Sequence, residues 1–540
     1  MNSNLHARIV VIAIVLIAIC GAVALIYSTV WGLGTNSDSV GYIDAARNLL
    51  AGRGLGFLRA SGNFRPLHLH PPLYPLLLSG AGFVGLDMLE AARWMNVALM
   101  MYLIVSMGLG FYLLTRRPFL SVLLGLLLLS NPILLYAFSG AYSEPLFYSM
   151  GIPGLLLLVS YLEDRRRWKL IGSAIATGIT LLSRFTGAAY VGAGALGLFI
   201  LSSQPIKRRV SETLGYLAIS CLPILLWIAQ LQIRYPGKNP GTYHLAVGNL
   251  WDELEPVRGA LVVAMWRWMS FPSIIPLEKY LGRALFLALL VLLITAATII
   301  TLRKLRDDAE EKWWQNRTFR FLLLCMLFVL AYFTIYLFSY LFVEHPKPGP
   351  NTRLLSPIFF GLIFVYFAIC GIVKGAWLSK RWIAIIFVSL PVASVLFNLP
   401  QSMDLISTMH QKGRGYTGKV WQDSDVIKAL EGIPDDIPLI SDTTSAILLY
   451  TERPAYEIPE LWNKTVLENP KAFGEDVRDE AQRIFREDGA ALVLFNSAYW
   501  QFNDLYGEKT PERFELFTQG LYKYYQGQDG AIYFYEEFQP

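Results

Sequence analysis

Long apolar runs recur along this chain at the length of a bilayer crossing, separated by short basic loops, and that pattern leaves few folds open. A membrane-spanning helix needs about 20 consecutive apolar residues, with a working range of roughly 17–25. Runs at 9–31, 89–114, 118–138, 145–162, 212–233, 284–302, 320–342, 354–373 and 382–398 meet or approach that length. The composition agrees. Of the 540 residues, 54% are hydrophobic and only 16% charged, with a mean hydropathy of +0.43, whereas soluble globular chains carry about 25% charged residues. The chain reads as a polytopic α-helical membrane protein. Its four cysteines, Cys20, Cys221, Cys325 and Cys370, all fall inside apolar runs, a placement for inert thiols rather than a disulfide framework. Ile9 to Val30 has a cleavage-like Ala22-Val23-Ala24, but the apolar run continues beyond it, which favours a retained anchor over a signal peptide.

Short loops rich in Lys and Arg mark the cytoplasmic side of a membrane protein. Here they are Arg116-Arg117, Arg165 to Lys169, Lys207-Arg208-Arg209, Arg303 to Arg306 and Lys380-Arg381. With Arg8 inside, alternation puts all of them on one side. The stretch 170–203 is interrupted only by Arg184 and is basic at both flanks, so it must cross twice and turn at Arg184. Pro72 to Leu86 cannot cross without moving Arg116-Arg117 outside, so it is expected to lie along the outer face, as is part of 40–52. Val257 to Ser270, apolar and rich in Trp, suits a third helix lying in the interface. The expectation is about eleven spans, N-terminus in and C-terminus out, with a first outer loop at 32–88.

From Leu399 the pattern changes. Residues 401–540 hold 13 Lys and Arg against 24 Asp and Glu, a balance of −11, so the remainder carries 33 against 17, or +16. Basic loops on a membrane body and an acidic tail describe two different solvents, and neither is a nucleic-acid surface. Asp435 to Asp442, Ala490 to Phe495 and Ala531 to Tyr535 read as strands, with a helix at 477–487. That alternation predicts a small extracytoplasmic α/β domain at 399–540 following a transmembrane domain at 1–398. It contains no Gly-rich phosphate loop and no zinc-ligand spacing.

Several ionisable residues fall on the outer face by this topology. Asp38 and Glu144 are the acids. Asp38 also reads as a helix N-cap, as does Ser37, and Glu144, in Ser143-Glu144-Pro145, also suits the first turn of a helix. An acid set beside membrane depth is otherwise a functional candidate. Arg184 is the only charge within 34 residues and either snorkels to head groups or meets an anion. Arg353 opens a span on the side where the positive-inside tendency disfavours it, so an anionic partner such as phosphate is expected. His68 and His70 precede Pro71-Pro72. Two histidines without further ligands are weak evidence for metal, leaving a phosphate contact or an ordinary interfacial role. Two acids, two arginines and a histidine on one face are the inventory for a sugar-phosphate reaction, with a carboxylate to take a proton and cations to hold a departing phosphate.

The order of these motifs resembles the GT-C superfamily of integral-membrane glycosyltransferases, and most closely the branch of protein O-mannosyltransferases and the lipid A aminoarabinose transferase. The resemblance rests on Asp38 with Tyr42 and Ala45-Ala46-Arg47, Pro71-Pro72-Leu73-Tyr74, Ser143-Glu144-Pro145, Leu182 to Gly187, and Arg353-Leu354-Leu355-Ser356-Pro357. It implies transfer of a sugar from a polyprenyl-phosphate donor to a glycan, lipid or protein acceptor at the outer face, in a cell envelope such as that around a bacterial cytoplasmic membrane. By the same resemblance Asp38 is the catalytic base, Glu144 a second catalytic acid, and His70 a contact to the lipid phosphate where the aminoarabinose branch often has Lys. Arg353 and Arg184 join His70 at the phosphate, with Tyr42 and Tyr74 in the substrate pocket. The resemblance assigns no particular cofactor, and a divalent metal is compatible with it. The rival from another class is a transporter or flippase of a lipid-linked saccharide, which would place its charges near the midplane of broken helices in inverted repeats. Another is a scaffold whose acidic tail binds an envelope partner.

Overall fold

The computed structural model describes residues 3–237, 242–243, 250–269, 316–345, 352–376, 381–458 and 480–537. In chain order the helices of the first part are α1 (Ser3–Ser28), α2 (Ser37–Leu50), α3 (Leu73–Phe83), α4 (Met88–Thr115), α5 (Pro118–Ser130), α6 (Pro132–Phe138), α7 (Glu144–Asp164), α8 (Arg167–Ser183), α9 (Ala188–Leu201), α10 (Ile206–Arg234), α11 (Leu250–Met269), α12 (Arg317–Phe342), α13 (Thr352–Ala376) and α14 (Arg381–Lys412). Between α2 and α3, the strands β1 (Gly56–Leu58) and β2 (Phe64–Pro66) pair antiparallel. Thr242–Tyr243 (β3) and Val343–His345 (β4) form a second small antiparallel pair.

The protein is an integral, multi-pass membrane protein. Among the described residues six helices are long and apolar enough to cross a bilayer, and a seventh results if α5 and α6 count as one broken span. The expected run at 284–302 and the Arg303–Arg306 loop lie outside the described residues. The stretch 118–138 is not the single straight helix expected from its apolarity, because it bends by 61° between α5 and α6. Asn131 is the cause. Its side-chain oxygen accepts from the backbone N–H groups of Ile133 and Leu134 at 3.0 and 3.1 Å, capping a new helix, and Pro132 has no N–H with which to continue the old one. The helical break in 170–203 falls at Arg184, where it was expected. Its two halves, of 17 and 14 residues, are about 25 and 21 Å long at 1.5 Å per residue.

The chain divides into two compact units. One comprises residues 1–30, 68–74 and 92–410, the other residues 31–67, 75–91 and 411–540. The first is the helical bundle. The C-terminal end of α1 is tied to α4 by Arg93, which donates to Thr29 Oγ1 at 2.9 Å and to the Ile26 carbonyl at 3.0 Å, the latter a group that the last turn of α1 leaves open. Aromatic side chains fill the bundle interior. Tyr190 stacks on Phe328 with centroids 3.8 Å apart, and Phe147 lies within 5.0 Å of Tyr190.

The second unit is built on a five-stranded sheet in the order β6-β5-β7-β9-β8, with β5 (Leu439–Ser441), β6 (Ala455–Glu457), β7 (Ala491–Phe495), β8 (Tyr522–Gln526) and β9 (Gly530–Phe534). β6, β5 and β7 run parallel, while β7, β9 and β8 alternate. Its helices are α15 (Lys419–Gln422), α16 (Asp425–Ala429), α17 (Thr444–Thr451), α18 (Glu480–Glu487), α19 (Asn496–Tyr506) and α20 (Thr510–Thr518). Period-two alternation sends Leu492 and Leu494 into a core with Phe485 and Phe502, and Val493 and Phe495 into another with Val426 and Ile447. Both sheet faces are therefore covered, which is why β7 reads as an unbroken apolar run. Strands occupy 439–441 of the expected 435–442, 491–495 of the expected 490–495, and 530–534 against the expected 531–535. Of the expected helix at 477–487, residues 480–487 are helical and 477–479 lie outside the described residues. β6 and β8 were not foreseen, because Ala-Tyr-Glu is too short and Tyr-Lys-Tyr-Tyr-Gln too polar to stand out.

Candidate active site

In the bundle, Glu144 opens α7 and is buried, at 4% exposure. One of its oxygens, Oε1, accepts from Arg184 Nη1 at 2.7 Å and from Arg353 Nε at 2.5 Å. Three segments distant in sequence thus meet at one carboxylate. Topology had placed these residues on one membrane face, and the fold brings them into direct contact. Two guanidinium groups thus share one carboxylate oxygen. Arg353 also lies 4.6 Å over the Tyr142 ring, a cation–π contact that fixes the guanidinium plane. Among the described residues Glu144 Oε2 is buried without a hydrogen-bond partner.

The local sequence explains why each member sits where it does. The turn before Glu144 is held by Asn96, whose amide donates to the carbonyls of Phe138 and Gly140, both at 2.8 Å. Arg184 follows the last turn of α8 in extended conformation, and the chain turns back through Phe185-Thr186-Gly187 as one 3₁₀ turn. Gly187 is obligatory there, since a Cβ would stand 2.3 Å from the Thr180 carbonyl group. Arg353 is the second residue of α13. Around it, Tyr332 donates to the Leu354 carbonyl at 2.8 Å, while Trp268 and Arg267 of α11 donate to Ser356 Oγ at 3.4 Å and Thr352 Oγ1 at 3.3 Å. The Trp-rich stretch expected to be helical is thus packed beside the start of α13. In the same unit His70 is half-buried ahead of α3, whereas Tyr74 on α3 is buried at 1% exposure.

Asp38 and Tyr42 belong to the other unit. Asp38 is half-buried in the first turn of α2 and Tyr42 is buried on the next turn. The cap expected of Ser37 or Asp38 is made by Asn36 instead. Asn36 Oδ1 accepts from Ser39 N–H at 3.0 Å and Ser39 Oγ accepts from Asn36 N–H at 3.3 Å, a reciprocal capping box. The Asp38 carboxylate is thereby spared that task.

The sequence reading passed over Asp44. It is buried on the same helix at 7% exposure, with Oδ1 accepting from Asn48 Nδ2 at 3.1 Å, and Oδ2 lacks a hydrogen-bond partner among the described residues. Burial pushes its carboxyl up to about 6, against the lowering effects of the Leu58 backbone, Arg47, Asn48 and Arg53. The available signal was its place inside Tyr42-Ile43-Asp44-Ala45-Ala46, a stretch buried throughout. In the C-terminal sheet Asp442, which follows β5, accepts from Ser497 Oγ at 2.6 Å, Thr443 Oγ1 at 2.9 Å and Phe495 N–H at 3.0 Å. That carboxylate ties β5 to β7, and burial raises its pKa. Among the described residues no three His, Cys, Asp or Glu side chains cluster as metal ligands would.

Solved structures share this architecture. The Archaeoglobus fulgidus oligosaccharyltransferase tethered to an acceptor peptide is similar with a TM-score of 0.52 at 12% identity, over 96% of this chain and 74% of that one. The same organism's AglB, in complex with an inhibitory peptide and a dolichol-phosphate, gives 0.51 at 13% identity over the same shares. ArnT from Cupriavidus metallidurans bound to undecaprenyl phosphate gives 0.49 at 13% identity, over 96% of this chain and 97% of that one. No protein-family model and no curated protein matches the sequence. The fold is thus shared with these oligosaccharyltransferase structures, in keeping with the architecture that the motif order implied.

Proposed function

We propose that the protein is a glycosyltransferase that moves a sugar from a polyprenyl-phosphate donor to an acceptor hydroxyl at the outer face of the membrane. The observation that carries this reading is the Glu144–Arg184–Arg353 cluster, in which one buried carboxylate orders two guanidinium groups and Arg353 is partly exposed. A guanidinium group held by a buried carboxylate and an aromatic ring is already oriented when an anion arrives, and such preorganised charge is worth most where water is scarce. The fold adds support, since AglB, which shares it, binds a dolichol-phosphate.

The chemistry follows as an inverting single displacement. Asp38 accepts the proton of the acceptor hydroxyl while that oxygen attacks the anomeric carbon. The bond from the anomeric carbon to the phosphate oxygen breaks, and the lipid phosphate leaves with the bonding pair. Arg353 neutralises the charge that develops on it, with Arg184 and His70 as further phosphate contacts. Glu144 holds the two arginines apart from lipid and orients them, and Tyr42 and Tyr74 line the substrate pocket. The acceptor is a glycan, lipid or protein hydroxyl, the setting is a bacterial cytoplasmic membrane, and the C-terminal domain lies outside.

The test is transfer from a panel of radiolabelled undecaprenyl-phosphate hexoses and pentoses in proteoliposomes carrying envelope acceptors. A positioned base contributes about 10²–10⁴-fold, so Asp38→Asn should lower turnover by that factor while still binding undecaprenyl phosphate. Wild-type turnover in Asp38→Asn removes Asp38 as base. Movement of labelled donor across the bilayer without sugar transfer would establish the flippase reading instead.

A further inference from the structure

The helix that carries Asp38 is held at both ends by chain some four hundred residues away. Ahead of α2, Thr35 forms a parallel bridge with Gly415, and Tyr416 N–H donates to the Thr35 carbonyl at 3.2 Å. Thr417 Oγ1 donates to the Leu33 carbonyl at 2.5 Å, and Gln422 Nε2 to the Trp31 carbonyl at 3.0 Å. At the other end, Arg47 in the last turn of α2 reaches the end of α17. Its guanidinium donates to the carbonyls of Leu448 at 3.3 Å and Leu449 at 3.5 Å and pairs with Glu452 at 3.2 Å. Helix C-termini leave carbonyl groups unsatisfied and carry partial negative charge, so an arginine there answers both demands.

The glycine in this contact is not interchangeable. Gly415 has φ of +61°, and a Cβ on it would stand 1.9 Å from the Thr35 carbonyl oxygen. Only glycine allows the two backbones to pair at that separation. Both anchors fall within one compact unit, which gathers residues 31–67 and 411–540.

We infer that the segment from Gly415 to Glu452 is a clamp that sets the position of α2, and that Arg47 and Gly415 are positioning residues for Asp38. The inference rests on the glycosyltransferase reading for its catalytic consequence, but not for the clamp itself. It assigns the acidic C-terminal domain a duty inside the reaction. Tight positioning is what converts an ordinary carboxylate into an effective base, and a displacement of about 1 Å can cost on the order of a hundredfold.

Two readouts on the full-length protein in nanodiscs test it. The first is hydrogen exchange at amides 37–50 in wild type, Arg47→Ala and Arg47→Lys. Loss of the charged hydrogen bonds should speed exchange in α2 on the order of tenfold, with the exchange of α7 and α13 unchanged. Arg47→Lys, which keeps a cationic donor, should recover most of the protection. Unchanged exchange at 37–50 in Arg47→Ala overturns the clamp. The second is steady-state transfer from the donor panel, where Arg47→Ala should lower kcat at least tenfold with KM for donor within twofold, and Arg47→Lys should restore it in part. An unchanged kcat, or a fall in donor affinity alone, overturns the positioning role. Should Arg47→Ala fail to accumulate, Gly415→Ala tests the same clamp from the other end with the same two outcomes. If wild type transfers no sugar, the glycosyltransferase reading fails by itself and the exchange experiment still decides the clamp.

Discussion

Glu144 illustrates how one buried side chain can serve two cations at once. Breaking a buried ion pair by removing one partner typically costs about 3–5 kcal/mol, because the remaining charge has no counterpart. Glu144→Gln should therefore lower the thermal unfolding midpoint of the purified protein markedly, whereas Glu144→Gln with Arg184→Gln should recover part of the loss. An undiminished midpoint in the single variant would mean that the arginines do not depend on it. Asp44 makes a pH-dependent counterpart outside the spans. Its folded-state pKa of about 6 lies above the ordinary carboxylate value near 3.9, so the folded protein binds that proton more tightly than the unfolded chain. Its contribution is most favourable below about pH 4, declines as pH rises towards 6 and is constant beyond. Asp44→Asn should flatten that stretch of the stability profile and raise stability at pH 8 on the order of 1–3 kcal/mol, read from denaturation at pH 4, 6 and 8. The acids and arginines themselves were legible in the sequence because polar residues are conspicuous against apolar runs. Asp44 was not, since an acid in an amphipathic outer-loop helix looks exposed until its neighbours fold over it. The cap was misassigned for a related reason: Asn36, Ser37 and Asp38 are all good caps, and only the backbone angles decide among them.

At the level of helices and turns, the break at Arg184 depends on Gly187, whose Cα hydrogen faces the Thr180 carbonyl group. Gly187→Ala should force the α8–α9 turn apart, move Arg184 away from Glu144 and reduce binding of undecaprenyl phosphate, measured by a native mass shift or filter binding. Retained affinity would show that the turn tolerates the methyl group. That this turn exists was readable from charge parity alone, because two basic flanks demand an even number of crossings. The bend at Asn131 was not, although Asn131-Pro132 carries a local signal for it. Apolarity over 118–138 masked the interruption, and a capped proline start is as apolar as a continuous helix. The hairpin β1–β2 escaped for the opposite reason: two three-residue strands are too short to show an alternation.

For the molecule as a whole, the charge division between a +16 body and a −11 tail goes with an expected orientation, basic loops inside and tail outside, that labelling can check. In a variant lacking the four native cysteines, Glu537→Cys should react with an impermeant maleimide in right-side-out vesicles, while Lys207→Cys should react only after the membrane is opened. Reversal of the two would place the tail in the cytosol and remove the outer-face reaction. The class of fold was legible because the bilayer imposes one length on every crossing helix. The grouping of residues 31–67 with 411–540 was beyond reach, since no periodicity links segments so far apart. It also has a temporal meaning. Arg47 meets Leu448 across 401 residues, a stretch that takes a ribosome roughly 20–80 s to make at 5–20 residues per second. Throughout that interval the nascent bundle is already threading into lipid with α2 unsecured, so the clamp can close only once the tail has been made.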